Sequence, residues 1–254
     1  MTDNIIQVEH LKNNLGGTWV HKDVTFSVKP QEIIAIIGGS GCGKTTLLRS
    51  ILRLLIPTGG NVSVFGTDVV HASEKELLEV QKRWGVMFQG GALFSSLTVL
   101  ENIMYLLDEY AALSHSSKIE LAHLKIAMSG LEPDAAYKYP SELSGGMKKR
   151  AALARAIALD PELIFLDEPT AGLDPKSAGD LDDLMLDMRK NLGLTFVMVT
   201  HDLDTLWYVP DRVLFLGEGK VLADQPMEML HKNTHPAIQS YFSGHRSQGD
   251  QHAG

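Results

Sequence analysis

Apolar residues along this chain fall into two patterns. The first is a set of short continuous runs: Ile33-Ile34-Ala35-Ile36-Ile37, closed by Gly38-Gly39, then Leu163-Ile164-Phe165-Leu166, Thr195-Phe196-Val197-Met198-Val199 and Val213-Leu214-Phe215-Leu216. Runs of this length without polar alternation predict strands covered on both faces of a mostly parallel sheet. Shorter β-like stretches at 5–9 and 24–28 precede them, and Gly217-Glu218-Gly219 predicts a hairpin after the last. The second pattern is apolar positions at helical spacing, over 45–55, 151–159 and 181–190. Strands alternating with helices define an α/β fold. Residues 92–150 interrupt the alternation, and helices are predicted over 99–112, 116–129 and 146–159. The expectation is one domain over 1–254. Its sheet-bearing core covers 1–91 and 151–230, a helical subdomain 92–150 and a C-terminal extension 231–254.

Bulk composition narrows the class. At 254 residues, 44% hydrophobic and 21% charged, the chain has the make-up of a soluble globular protein. A net charge of −8 argues against nonspecific nucleic-acid binding, so no nucleic-acid partner is expected. The first residues lack the basic and apolar regions of a secretory signal, and no run reaches the ~18–20 apolar residues of a membrane helix. The single cysteine, Cys42, excludes an intrachain disulfide and fits a reducing compartment. A soluble, intracellular chain is expected, and any role at a membrane would run through a partner.

The clearest chemical motif follows the first buried run. Gly38, Gly39, Ser40, Gly41, Cys42, Gly43, Lys44 and Thr45 satisfy G-x-x-x-x-G-K-[ST] between a strand and a helix. Glycines there let successive backbone N–H groups wrap an anion, and the following helix presents its positive end to it. Lys44 is expected to reach the β- and γ-phosphates, and the Thr45 hydroxyl to ligate Mg²⁺. Thr46 completes the nucleotide-binding set. Cys42 lies inside the loop beside Lys44, so alkylation there is expected to inactivate and bound ATP to protect.

Carboxylates and a histidine mark other strand ends. Leu163–Leu166 runs into Asp167 and Glu168, which suits a metal-shell carboxylate followed by a proton acceptor for the attacking water. Pro169 also permits a plain turn there. His201 ends the run that begins at Thr195, and at a sheet edge that binds nucleotide a γ-phosphate contact is expected. Leu143-Ser144-Gly145-Gly146-Met147 would by itself be an N-cap with flexible glycines.

In this order, with Ser144 standing 100 residues after Lys44 and 23 before Asp167, these motifs resemble those of ABC ATPases over roughly residues 5–230. The resemblance implies a P-loop core with a mostly parallel sheet, an antiparallel β portion near the N-terminus and an inserted helical subdomain. It makes 38–45 the Walker A loop and Gln89 the Q-loop glutamine that contacts Mg²⁺ and senses the permease. It makes Asp167 the Walker B carboxylate, Glu168 the catalytic base, Asp174 the D-loop aspartate and His201 the switch histidine. It further implies ATP and Mg²⁺ as cofactors and a second copy of the chain stacked head to tail. Ser144, Gly145 and Gly146 of one copy would then close on the ATP held by the other. An integral membrane permease is implied as partner, which places the chain at the cytoplasmic face of the inner membrane.

Two departures stand out. The adenine-stacking aromatic of the family is replaced by Leu15, with Trp19 nearby, and the last signature residue is Met147 rather than glutamine. Met147, Gly91-Ala92-Leu93-Phe94 and the stretch from Lys148 to Arg155 resemble the ATPases of Mla and Mce-associated lipid transporters. That branch implies phospholipid transport and an Mce-type substrate-binding protein in the same system. Alternatives are the ATPase of another substrate importer, or an iron–sulfur assembly ATPase, which typically carries glutamate where Met147 stands. A chromosome-structural ATPase would need a coiled coil for which the sequence has no room.

Three surface expectations complete the reading. Lys148-Lys149-Arg150 is taken as a solvated helix start. Part of the set Ala92, Leu93, Phe94, Leu97 and Val99 is taken to line a groove for a permease helix. Residues 236–242 are a candidate contact with the partner subunit, and 243–254 a mobile tail.

Overall fold

A computed structural model describes residues 4–249. Its elements are β1 (Ile6–Leu15), β2 (Thr18–Val28), β3 (Ile33–Ile37), α1 (Lys44–Ile51), β4 (Gly59–Val64), β5 (Thr67–Asp68), α2 (Glu74–Gln81), β6 (Trp84–Met87), α3 (Val99–Tyr110), α4 (His115–Met128), α5 (Gly145–Ala156), β7 (Leu163–Asp167), α6 (Pro175–Leu192), β8 (Thr195–Val199), α7 (Leu203–Tyr208), β9 (Arg212–Gly217), β10 (Lys220–Gln225), α8 (Met227–Leu230) and α9 (Pro236–Gly249). Two compact units divide near Ala72 and Leu206, the second being Ser73–Thr205.

In the first unit the strand order is β5-β4-β1-β2-β10-β9-β3. β1 pairs antiparallel with β4 and, through a tight turn in which Gly16 and Gly17 take φ of 58° and 86°, with β2. Two positive φ angles in a row are the geometry of a type I′ hairpin, which glycine adopts without strain. These strands are longer than the apolar stretches at 5–9 and 24–28, because the polar residues between Glu9 and Asp23 continue the ladder. β9 pairs antiparallel with β10, the expected hairpin, and parallel with β3. All five residues of β3 are buried. The C-terminal α9 extends the helix through Gly249, where a mobile tail was expected from 243; residues 250–254 lie outside the described residues. Ile238 and Phe242 are buried in the chain's own interior and Tyr241 meets Phe215 edge-on at 5.5 Å. The apolar side of 236–242 is therefore spent within the subunit.

The second unit carries a parallel ladder, β8-β7-β6. Every residue of β7 and β8 is buried, as continuous apolar runs require. β6 and α2 are additions to the elements read from sequence. β6 is only four residues, and α2 is started by a capping box in which the Ser73 side chain accepts from the Glu76 N–H while Glu76 accepts from that of Ser73. α3, α4 and α5 pack around Ile103, Leu107, Ile126, Ala151 and Ala154, so Val99, fully buried in this core, belongs to packing rather than to a groove. α6 begins at Pro175, six residues earlier than its apolar spacing suggests, because the Asp174 side chain caps it.

α5 lies unusually close to β6. A Cβ at Gly85 would stand 2.1 Å from the Ala156 carbonyl oxygen, and the helix turns Ala151, Ala152, Ala154 and Ala156 inward. Small residues on both sides permit this approach. Gly85→Ala would drive a methyl into backbone that cannot rotate away. Destabilisation by about 2–3 kcal/mol is expected, measured by urea unfolding; an unchanged midpoint would show that α5 can shift freely.

Candidate functional site

In the first unit the loop after β3 is built by backbone close approach. Gly38, Gly41 and Gly43 have φ of 150°, 76° and 100°. A Cβ at Gly38 would stand 2.1 Å from the Leu216 carbonyl oxygen, and one at Gly43 would stand 2.5 Å from His21 Nε2. Side chains at either position would push the loop off its support, so glycine is demanded by space as well as by φ. Lys44 opens α1, and its ammonium donates to the carbonyls of Gly38 (2.8 Å) and Gly39 (3.2 Å). It is thereby held along the concave side of the loop. Ser40 and Thr45 are exposed, while Cys42 and Thr46 are half-buried.

Sequence reading passed over His21, which lies under this loop. It is fully buried. Asn13 Nδ2 donates to Ser50 Oγ at 3.0 Å and lies 2.9 Å from His21 Nδ1, while the Ser50 hydroxyl donates to the Thr46 carbonyl at 3.0 Å. With the Asn13 amide nitrogen as donor, His21 Nδ1 is the acceptor and the imidazole proton sits on Nε2, beside Gly43. Nε2 has no full hydrogen bond. Burial pushes the His21 pKa down to about 4, only partly offset by the nearby Gly43 backbone. The only signal in the sequence is a histidine at an inward β2 position.

In the second unit Glu168 follows β7 with φ of +54°, a left-handed conformation that a non-glycine residue holds only under restraint. Its N–H donates to the Val199 carbonyl (2.8 Å), and Lys149 Nζ donates to its carbonyl (2.6 Å). His201 Nδ1 lies 2.8 Å from Glu168 Oε2. The expected base and the expected switch histidine are thus in contact. The Glu168 side chain is 13% exposed against 62% for His201, so the carboxylate is recessed and the ring open. Asp167 is buried at the end of β7.

Ser144 caps α5 by accepting from the Met147 N–H at 3.2 Å, and with Gly145 it is exposed. Gly146 faces Ser177 at the start of α6. Asp174 accepts from the Ser177 N–H (3.0 Å) and hydroxyl (2.6 Å), and the Ser177 bonds hold its carboxyl below the usual range. Gln89 is exposed just past β6 and precedes Gly90, Gly91 and Ala92, all at positive φ. Arg155 of α5 donates to the carbonyls of Ala92 (2.7 Å) and Gly91 (3.0 Å). Buried Asn102 donates from Nδ2 to the carbonyls of Phe94, Leu97 and Thr98, and its Oδ1 accepts from the Phe94 N–H. Neither tie was visible in sequence.

The solvated reading of 148–150 is corrected here. Lys149 is 7% exposed, and Arg150 donates to the Ser129 carbonyl at 3.0 Å. A groove of about 280 Å³ opens between α2, α3, β6 and α5, lined by Leu78, Val86, Phe94, Tyr105 and Leu106. Phe94 and Tyr105 are each about half exposed, with ring centroids 5.0 Å apart. Leu93 stands half-buried on the same loop.

The first unit thus holds a glycine-built loop with its lysine, and the second a recessed glutamate at a strand edge paired with histidine. Residues 21–171 match the family model described as ABC transporter. The chain is 38% identical over 244 residues to the intermembrane phospholipid transport system ATP-binding protein MlaF of Haemophilus influenzae, covering 96% of this chain and 92% of that one. It is 36% identical to the probable ribonucleotide transport ATP-binding protein mkl of Mycobacterium bovis, covering 95% and 67%. Among solved structures, a dimeric ATP-binding cassette in a post-hydrolysis state with ADP and Pi superposes with a TM-score of 0.80 at 30% identity, covering 87% and 98%. The protein belongs to the ABC transporter ATP-binding family. It is an ATP-binding ABC ATPase homologous to phospholipid transport ATPases. Among the described residues no helix is long and apolar enough to cross a membrane.

One titration is expected of the first unit. The folded state binds a proton on His21 less readily than the unfolded chain, whose histidine pKa is about 6.5. Stability associated with neutral His21 is therefore full above pH 6.5 and is lost as pH falls through 4. Relative to His21→Leu, the wild type should lose up to ~3 kcal/mol over that window by urea unfolding. Parallel pH profiles for the two proteins would refute the buried neutral histidine.

Proposed function

We propose that this chain is the ATP-hydrolysing subunit of a transporter that moves phospholipid across the cell envelope. It would work as an ATP-dependent dimer at the cytoplasmic face of the inner membrane, beneath an integral permease, with an Mce-type substrate-binding protein in the same system. The observation that carries hydrolysis is the restrained Glu168, recessed and bonded to His201. The His201 bond fixes the rotation of the carboxylate, and a carboxylate so placed can take the proton of an attacking water.

Lys44 and the loop N–H groups of 38–46 would bind the ATP phosphates. The loop fits that role, since glycine at 38 and 43 lets it seat against Leu216 and His21 in the bent conformation that turns N–H groups toward an anion. The Thr45 hydroxyl, the Gln89 amide oxygen and the Asp167 carboxylate are hard oxygen donors of the kind Mg²⁺ takes. When bound, that ion would neutralise phosphate charge. Ser144, Gly145 and Gly146 cap an exposed helix N-terminus, a favourable surface for the γ-phosphate held by a second copy. Asp174 would shape the same face through its cap on α6.

Relatives' names divide on cargo. The phospholipid-named relative matches over 92% of its length and the ribonucleotide-named one over 67%. Met147 and the 91–94 stretch, which mark the lipid branch by resemblance, favour the first. Mass spectrometry of the purified membrane complex is the direct test: bound phospholipid is expected, and a ribonucleotide held by the permease apart from the ATP or ADP of this subunit, with no phospholipid, would overturn the lipid assignment while leaving the ATPase standing.

Two further outcomes follow from the site. Glu168→Gln should bind ATP within about threefold of wild type while turnover falls by ~10²-fold or more, and it should accumulate as an ATP-bound dimer in sedimentation. Turnover near the wild-type rate would remove Glu168 as the base. Phe94→Asp should leave the subunit folded and ATP-binding yet absent from the solubilised membrane complex, because a carboxylate in the apolar groove opposes docking. Unimpaired co-purification with the permease would place the docking surface elsewhere.

A further inference from the structure

Lys149 is the buried cation that the hydrolytic reading leaves unexplained. It sits on α5, about 7.5 Å along the helix axis from the Ser144 cap at ~1.5 Å per residue. Its aliphatic stem is packed away, and its ammonium ends on the Glu168 carbonyl at 2.6 Å. Burying an ammonium is unfavourable unless charge and hydrogen bonds compensate. Burial lowers the Lys149 pKa, and the nearby carboxylates of Glu168 and Asp167 oppose that shift. The acceptor is no ordinary carbonyl. It belongs to a residue at φ +54°, whose N–H is tied to Val199 and whose side chain is tied to His201. Of the bonds that fix this backbone, the one from Lys149 originates on the helix whose cap is Ser144-Gly145-Gly146.

We propose that Lys149 is a positioning residue that links the signature helix to the catalytic glutamate of the same subunit. This rests on the head-to-tail reading above. Nucleotide held by the second copy pulls on Ser144 to Gly146. α5 moves as a rigid rod, and Lys149 carries the displacement to the Glu168 backbone. Occupancy of one ATP site therefore sets the geometry of the carboxylate that serves the other. A helix shift of about 1 Å suffices, since misplacement on that scale costs about 10²-fold in rate.

The test uses the full-length chain under conditions in which it dimerises, with Lys149→Met, Lys149→Arg and Glu168→Gln compared to wild type. Lys149→Met keeps the length and removes the donors. It should bind ATP and give a KM within about threefold of wild type, with kcat reduced ~10–100-fold. Its Hill coefficient for ATP should drop towards 1 from a wild-type value approaching the two sites of the dimer. Lys149→Arg, which keeps charge and donors, should restore most of kcat and the cooperativity. Should Lys149→Met fail to fold, by loss of its thermal transition, Lys149→Leu, which also lacks a donor, takes its place with the same expectations.

Wild-type kcat and cooperativity in the Met or Leu variant, with Glu168→Gln inactive, overturn the proposal and leave the base assignment intact. Reduced kcat with unchanged cooperativity overturns the link between sites. A rise in KM that parallels the loss in kcat, unrelieved by arginine, overturns it in favour of packing alone. Normal turnover by Glu168→Gln would instead remove the base reading beneath the proposal.

Discussion

The close approach of α5 to β6 is the constraint on which the second unit depends. A helix against a strand is normally spaced by side chains on both. Here Gly85 contributes none and the helix contributes alanines, so backbone nearly meets backbone. At that spacing, side chains leaving the flanks of α5 reach main chain that a thicker packing would put out of range. Lys149 reaches the peptide after β7, and Arg155 reaches the Gly91 and Ala92 carbonyls in the loop that follows β6. Two loops are fixed from one helix because that helix sits low on the sheet.

The basic groups of α5 share a task. Lys149, Arg150 and Arg155 each donate to backbone carbonyls. Their acceptors lie at or beside left-handed residues: Glu168, Gly130 after Ser129, and the run Gly90, Gly91, Ala92. A chain that turns into the left-handed region leaves the ladder and exposes carbonyls to be satisfied. A long cation can find such a carbonyl without matching a plane or a partner charge, and being charged it makes the stronger bond. These positions tolerate irregular backbone where chemistry needs it because α5 supplies the donors.

Much of this was legible in the chain itself. The buried runs at 33–37, 163–166 and 195–199 became strands with every residue covered, and the helices of 92–159 fell within a few residues of their apolar spacing. Misreadings have specific causes. Periodicity sees apolar residues, so it shortened β1 and β2, whose central residues are polar, and it began α6 at Leu181 although Asp174 starts the helix by capping it. Charge pattern misled at 148–150, since three consecutive basic residues look solvated whether they end in water or on a carbonyl. His21 and Asn102 left almost no trace, because a buried polar residue is defined by partners distant in sequence, and only the fold supplies those.

The Asn13, His21 and Ser50 cluster has a consequence for how this protein can change. Three positions on three elements share one set of hydrogen bonds, so their substitutions are not independent. Leucine at 21 by itself would fill the space beneath Gly43 but strand one of the Asn13 N–H groups in the interior. Losing the amide at 13 first would instead leave the imidazole without the donor that selects its tautomer. Each single step is worse than either end, while the paired change leads to an ordinary apolar core. Hydrogen bonding of this kind works as an epistatic ratchet: each of the three residues is held in place by what its loss would strand on the others.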